Sequence, residues 1–282
     1  MAAWLQLYAR ALTDFFLPGR CVVCDTPLSL NEQYLCLHCE ADFPLTRYAL
    51  LEENPMAERY NAAIAAMDAL QDGRIPPSPQ PSPYEYAAAL FFYDEQAGYS
   101  RIPQALKYDG RLRLGRHFAA RLGAALSKSP LFADVDLIVP VPLHARRRFS
   151  RGYNQAGVIA REIARVMGEC RNADAGAAGK PGAASPRVCD HLLRRIRSTH
   201  SQTALSGEEK RRNVSGAFGV NEGALAALGF RSPGALSPRH LLLVDDVFTS
   251  GSTLAACHQA LRKILSSGVR ISAATLAFVR QA

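Results

Sequence analysis

Leu241-Leu242-Leu243-Val244-Asp245-Asp246-Val247-Phe248-Thr249-Ser250-Gly251-Ser252-Thr253 decides the fold. Four apolar residues run into two acids, and a short run of Gly, Ser and Thr comes next, before a helical pattern, LAACHQALRKIL. The run predicts a buried strand that ends in paired carboxylates, then a tight loop that opens a helix. Such a loop aims backbone N–H groups and the positive end of a helix dipole at one point, which suits a phosphate. Asp245 and Asp246 beside that point suit sugar hydroxyls or a hydrated Mg²⁺ ion. One small region can therefore take an anion and a polyol together. The alternative is an ordinary strand-to-helix turn capped by a hydroxyl.

Outward from this run, apolar patterns of strand and helix length alternate. Strands are predicted at 87–93, 136–141, 191–196, 217–220, 239–244 and 269–278. Helices are predicted at 56–70, 98–108, 113–127, 155–166 and 254–265, whereas 172–184 and 221–238 read as loops. Alternation of this kind predicts an α/β fold with a parallel sheet and crossover helices, the phosphate loop lying at the carboxyl ends of the strands. The run IPPSPQPSP at 75–83 carries five prolines in nine residues and reads as a stiff linker. It divides the chain into an N-terminal region, 1–74, and a second unit, 84–282.

The N-terminal region holds two C-x-x-C knuckles, Cys21-Val-Val-Cys24 and Cys36-Leu-His-Cys39, separated by eleven residues. Four thiolates at this spacing supply the tetrahedral sulfur shell that Zn²⁺ prefers, and a four-ligand site is structural because no coordination position stays open. His38 is a lesser ligand candidate than Cys39, and disulfides are the alternative to zinc. A ribbon of about forty residues has too small a core to fold without such a staple. Cys170, Cys189 and Cys257 are scattered.

The 282 residues carry 33 Lys and Arg against 25 Asp and Glu, a net charge of +8 and a pI near 9.3. The surplus favours anionic partners, phosphates, nucleotides or nucleic acid, without choosing among them. Trp4, Leu5, Tyr8, Leu12, Phe15 and Phe16 fall near helical spacing, and Arg10 and Asp14 break the apolar core that an export signal needs. No stretch approaches the roughly twenty apolar residues of a transmembrane helix. These features predict a cytoplasmic protein.

Two basic runs complete the candidate site. Arg146, Arg147, Arg148 and Arg151 come after the strand of IVPVPL, and a planar guanidinium fork suits diphosphate. The run Arg194 to Phe218 is basic and hydroxyl-rich; it reads either as a lid presenting Arg197, Thr199 and Gln202 or as a surface loop. Lys107-Tyr108 can touch a base or phosphate, or lie on the surface.

Read together, the cysteine ribbon, K-Y-x-G, V-P-V-P-L-H, R-R-x-x-R-G-Y-N-Q-A, R-x-R-x-T-x-x-Q-x-x-L, R-x-N-V-x-G-A-F and V-D-D-V-x-T-S-G-S-T resemble the ComF family (ComFC or GntX-like), in order over nearly the whole chain. The signature itself resembles the phosphoribosyl diphosphate (PRPP) motif of type I phosphoribosyltransferases; Ser250 stands where a second threonine is frequent, which keeps the hydroxyl. The resemblance implies a zinc ribbon ahead of a type I phosphoribosyltransferase fold. It implies that Asp245 and Asp246 hold the ribose 2′- and 3′-hydroxyls as the catalytic pair. Thr249, Ser250, Gly251, Ser252 and Thr253 would hold the 5-phosphate, with Arg148, Arg151 and Arg197 toward the diphosphate and Mg²⁺ accompanying PRPP. It also implies a link to DNA uptake in natural competence. No general base for an acceptor stands out, and folds of this type also serve as PRPP sensors. The second reading is a non-catalytic accessory factor that binds single-stranded DNA for the competence machinery.

Overall fold

The apolar run at 240–244 forms the inner part of β6 (His240–Phe248), a strand buried from end to end except at Asp245 and Val247. The computed structural model describes residues 19–72, 84–94, 96–108, 111–143, 149, 152–177, 184–197, 214–228 and 238–280. The helical pattern from Trp4 to Phe16 and the proline-rich run at 75–83 lie outside the described residues. The strands are β1 (Ala87–Tyr93), β2 (Leu137–Pro140), β3 (Arg187–Val188), β4 (Leu193–Arg195), β5 (Phe218–Val220), β6 and β7 (Arg270–Val279). The helices are α1 (Leu37–Ala41), α2 (Pro55–Asp72), α3 (Arg101–Tyr108), α4 (Leu112–Ser127), α5 (Gln155–Ala177), α6 (Glu222–Ala227) and α7 (Ser252–Arg262).

Five strands form one parallel sheet in the order β1-β7-β6-β2-β3. β6 sits at its centre, with Leu243 opposite Ala273 of β7 and Val139 of β2. Continuous apolar runs are what a parallel strand covered on both faces requires. Two helix pairs supply that cover: α2 lies against α7, and α4 against α5. The fold is therefore mixed α/β with a helix-flanked parallel sheet, and no described helix is long and apolar enough to cross a membrane.

Several predicted boundaries shift. β6 runs on through both acids to Phe248 instead of ending at Val244, because Asp245 and Val247 still pair with Thr275 and Ala277 of β7. The first six residues of the 172–184 run, expected as loop, extend α5 to Ala177, since alanine favours continuation. Within 221–238, Asn221 caps the short helix α6 by accepting from Gly223 and Ala224 N–H. The strand near 191–196 leaves the main sheet and pairs antiparallel with β5.

The cysteine region packs onto the sheet rather than beside it in isolation. Residues 44–46 run antiparallel along β1: Phe92 N–H donates to Pro44 O (2.8 Å) and Thr46 N–H to Leu90 O (3.1 Å). This covers the outer edge of β1, which would otherwise expose a row of unpaired backbone groups. Phe43 stacks on Phe118 of α4 at 5.5 Å, and Tyr99 donates to Cys39 O at 2.9 Å. Buried residues of the ribbon, α2 and the sheet form a single contiguous core.

Two buried polar networks lock the amino ends of the strands. Glu85, 2% exposed, accepts from Arg262 (2.7 Å) and Ile271 N–H (2.7 Å) and meets His258 Nε2 at 3.2 Å. His240 lies between Asp134 (2.6 Å) and Ser272 (2.8 Å). Burial holds the His240 pKa low, so the neutral ring donates from Nδ1 to Asp134 and accepts the Ser272 hydroxyl at Nε2. The order Ser-His-Asp matches a hydrolase triad, but Ser272 and His240 have no exposed surface, so the trio serves the fold.

Candidate functional site

The site begins where β6 stops being apolar. Asp245 and Asp246 occupy consecutive positions on the carboxyl half of the strand, so their side chains leave opposite faces. Asp246 N–H donates to Asp245 Oδ1 (2.9 Å), which folds the Asp245 carboxylate back along the strand. Burial first, and then the Asp246 charge, pushes the Asp245 carboxyl up to about 7, against partial relief from Lys107 and Arg195. Lys107, from the last turn of α3, forms an ion pair with Asp246 at 3.0 Å.

Beyond Phe248 the chain turns through Thr249, Ser250 and Gly251 into α7, whose first residues are Ser252 and Thr253. Gly251 has φ +76°, a left-handed conformation open to glycine at little cost. A Cβ there would lie 2.8 Å from Cζ of buried Phe248. Gly251→Ala is expected to destabilise the protein by about 2–3 kcal/mol, read as a shift in the urea midpoint, because strain and clash act together. The Ser250 and Ser252 hydroxyls lie 2.9 Å apart, and the first turn of α7 leaves its N–H groups without helical partners. Hydroxyls, orphan N–H groups and the helix dipole thus converge beside a carboxylate pair at the carboxyl end of a parallel sheet.

Thr249, Ser250, Gly251, Ser252 and Thr253 are brought together with Asp245 and Asp246 on one strand–loop–helix unit. Arg197 lies after β4, where its Nη2 donates to Ser215 O at 2.8 Å. Arg148 and Arg151 lie outside the described residues, as do Thr199 and Gln202. Just beyond the arginine run, Asn154 donates to Val141 O (3.0 Å) and so ties the head of α5 to the end of β2. Val141 N–H in turn donates to Val244 O (2.8 Å), one residue before the acids.

Two contacts to this unit are not readable in the sequence. Arg59 of α2 donates to Val279 O (3.0 Å) and Thr249 O (3.4 Å) while lying 4.3 Å over the Phe278 ring, so it braces the loop from a distant part of the chain. Arg195 of β4 sits close enough to Asp245 to lower its pKa. Arg59 occupies no recognisable motif, and Arg195, although it opens the R-x-R-x-T run, carries no sign in the sequence that Asp245 is its neighbour. Lys107 is marked in the sequence by its neighbour Tyr108, but its partner Asp246 is not readable there.

The four N-terminal thiols meet. The sulfurs of Cys21, Cys24, Cys36 and Cys39 all lie within 4.8 Å of one another, and Cys24 Sγ is 3.6 Å from Cys36 Sγ. Zinc–sulfur bonds of ~2.3 Å in a tetrahedron place sulfurs about 3.8 Å apart, so the cluster fits a metal such as Zn²⁺. The Thr26 hydroxyl and backbone beside Cys24 hold its thiol down at about 6, the thiolate form that ligation needs, whereas burial pushes Cys39 up. His38 instead faces Asp42 at 3.4 Å.

No family model matches the chain. It is 29% identical over 168 residues to competence protein F of Haemophilus influenzae, an alignment covering 58% of this chain and 62% of that protein. It is 27% identical over 259 residues to the DNA utilization protein YhgH of Salmonella typhimurium, covering 90% of this chain and 95% of that one. The YhgH of Escherichia coli K12 aligns over the same span at 26% identity.

Proposed function

Proceeding from a ComF-family homologue of competence protein F and YhgH, we propose that this chain binds PRPP, or another ribose 5-phosphate group, with Mg²⁺. The observation that carries the reading is the β6–loop–α7 unit, in which a carboxylate pair and a left-handed Gly251 loop share one strand end. In this reading the loop N–H groups and the hydroxyls of Thr249, Ser250, Ser252 and Thr253 hold the 5-phosphate. Asp245 and Asp246 accept the ribose 2′- and 3′-hydroxyls. Lys107, with Arg148 and Arg151 of the basic run and Arg197 beyond β4, would face the diphosphate.

Mg²⁺ would neutralise diphosphate charge, with Asp245 and Asp246 as the residues that would help to hold it. Transfer from PRPP breaks the bond between ribose C1 and diphosphate through an oxocarbenium-like state. The residues' task is to stabilise the departing charge and hold the sugar still, which is electrostatic and positional catalysis. Pentosyl transfer is the reaction class. The names of the relatives support a role in DNA uptake or DNA utilisation, and the four-cysteine cluster supports a structural Zn²⁺ held by Cys21, Cys24, Cys36 and Cys39 ahead of a phosphoribosyltransferase-like unit. A cytoplasmic location suits a PRPP ligand.

Titration calorimetry with PRPP and Mg²⁺ is expected to give saturable binding that the double substitution of Asp245 and Asp246 by asparagine removes. Diphosphate release measured against a panel of bases and single-stranded DNA then separates a transferase from a sensor. No heat with either PRPP or ribose 5-phosphate sinks the reading.

A further inference from the structure

A second concave site lies outside the β6 loop. A cavity of about 370 Å³ opens between the first cysteine knuckle and α3, lined by Arg20, Asp25, Arg101, Gln104, Tyr108 and Arg111 over a floor of Cys21, Val22 and Ala105. Three guanidinium groups against one carboxylate leave it net positive. Asp25 is already engaged by Arg20 at 3.0 Å. Arg101 is held in place by donating to Val23 O at 3.1 Å, which uses one of its five N–H groups. Tyr108, 74% exposed, stands at the rim as part of the cavity wall.

We propose that this cleft binds a nucleotide unit: a phosphate on the arginines, with the base stacked on Tyr108 and its edge within reach of Gln104. Each part of the chemistry is on the wall. Arginine forks grip phosphate oxygens in pairs, and an exposed aromatic ring stacks any base, the combination by which single strands are held without sequence preference. The volume holds one nucleotide, so a strand would thread the cleft with one base seated. The same helix points Lys107 at Asp246, so the nucleotide unit and the acidic pair lie on two sides of α3. The assignment goes beyond the phosphoribosyl reading and does not depend on it.

The test is fluorescence anisotropy of the full chain with a labelled oligothymidylate, with free thymidine 5′-monophosphate as competitor. Tyr108→Ala is expected to weaken oligonucleotide binding roughly tenfold or more while Tyr108→Phe keeps it, because stacking alone is removed. Arg101→Gln is expected to flatten the salt dependence by about 0.7 in log–log slope for one lost phosphate contact. PRPP calorimetry should be unchanged in Gln104→Ala, which alters the cleft wall alone. Competition by the free nucleotide identifies a mononucleotide ligand; competition only by unlabelled strand identifies nucleic acid. Wild-type affinity and salt slope in both Tyr108→Ala and Arg101→Gln overturn the proposal. If instead PRPP binds no variant while the Tyr108 dependence holds, the phosphoribosyl reading falls and the cleft stands.

Discussion

Asparagine at Asp245 is expected to leave the protein more stable above pH 7 and at the same time ten- to hundredfold weaker in PRPP binding. Burial and the Asp246 charge raise the Asp245 carboxyl from 3.8 to about 7. The folded chain thus binds that proton more tightly than the unfolded chain. This group's contribution to stability is greatest below pH ~4, declines as pH rises toward 7, and stays at the lower level above it. A shift of about three units corresponds to ~4 kcal/mol. The coupling to Asp246 and the partial exposure of Asp245 reduce what one substitution recovers to about 2 kcal/mol. Thermal denaturation at pH 8 should show a melting point several degrees higher for Asp245→Asn, and the gain should shrink toward zero at pH 4. The ligand loss comes from trading a charged acceptor for a neutral one, since hydrogen bonds to charged groups are worth about 1.5–3 kcal/mol. Equal melting points at pH 8 would show that the carboxylates do not strain one another. PRPP affinity of the unaltered protein should rise between pH 6 and 8, as Asp245 ionises.

Opening the four-thiol cluster should have an equally large effect. Cys36→Ser is expected to lower bound zinc well below one ion per chain, measured by mass spectrometry of the dialysed protein. An early unfolding transition should accompany it, on the order of 10 °C below the main one, because three thiolates do not close the tetrahedron. The loss should spread past the ribbon. Phe43 stacks on Phe118, Arg121 pairs with Glu40 at 2.9 Å, and Tyr99 donates to Cys39 O. Stoichiometric zinc in Cys36→Ser would refute the site, and so would disulfides among the four cysteines of the unaltered protein.

What is legible in the sequence is mostly local. The LLLVDDVFTSGST run announces a strand, a loop and a helix, because burial and a left-handed backbone at Gly251 each select a narrow set of residues. The knuckle spacing does the same for the four thiols. Strand order is not legible. Nothing in a segment such as RRRFSRGYNQA says that β2 lies beside β6 while β7, from the chain's end, separates β6 from β1. The partnership of Lys107 with Asp246 and of Arg59 with Thr249 spans more than a hundred residues, and long-range pairs leave no periodic trace. The extension of β6 through the acids is hidden for a related reason: two charges look like a strand end unless the neighbouring strand continues to pair with them.

The short helix α3 touches both the first cysteine knuckle and the acidic pair. Eight residues carry Arg101 to the backbone of the first cysteine knuckle and Lys107 to Asp246. A preparation that has lost its metal would therefore relax the cation standing guard over the acidic pair, and would be scored as a poor ligand binder for a reason remote from the ligand. Metal content therefore belongs beside every ligand-binding measurement, and a failed titration on a metal-poor sample says nothing about the strand that carries Asp245 and Asp246.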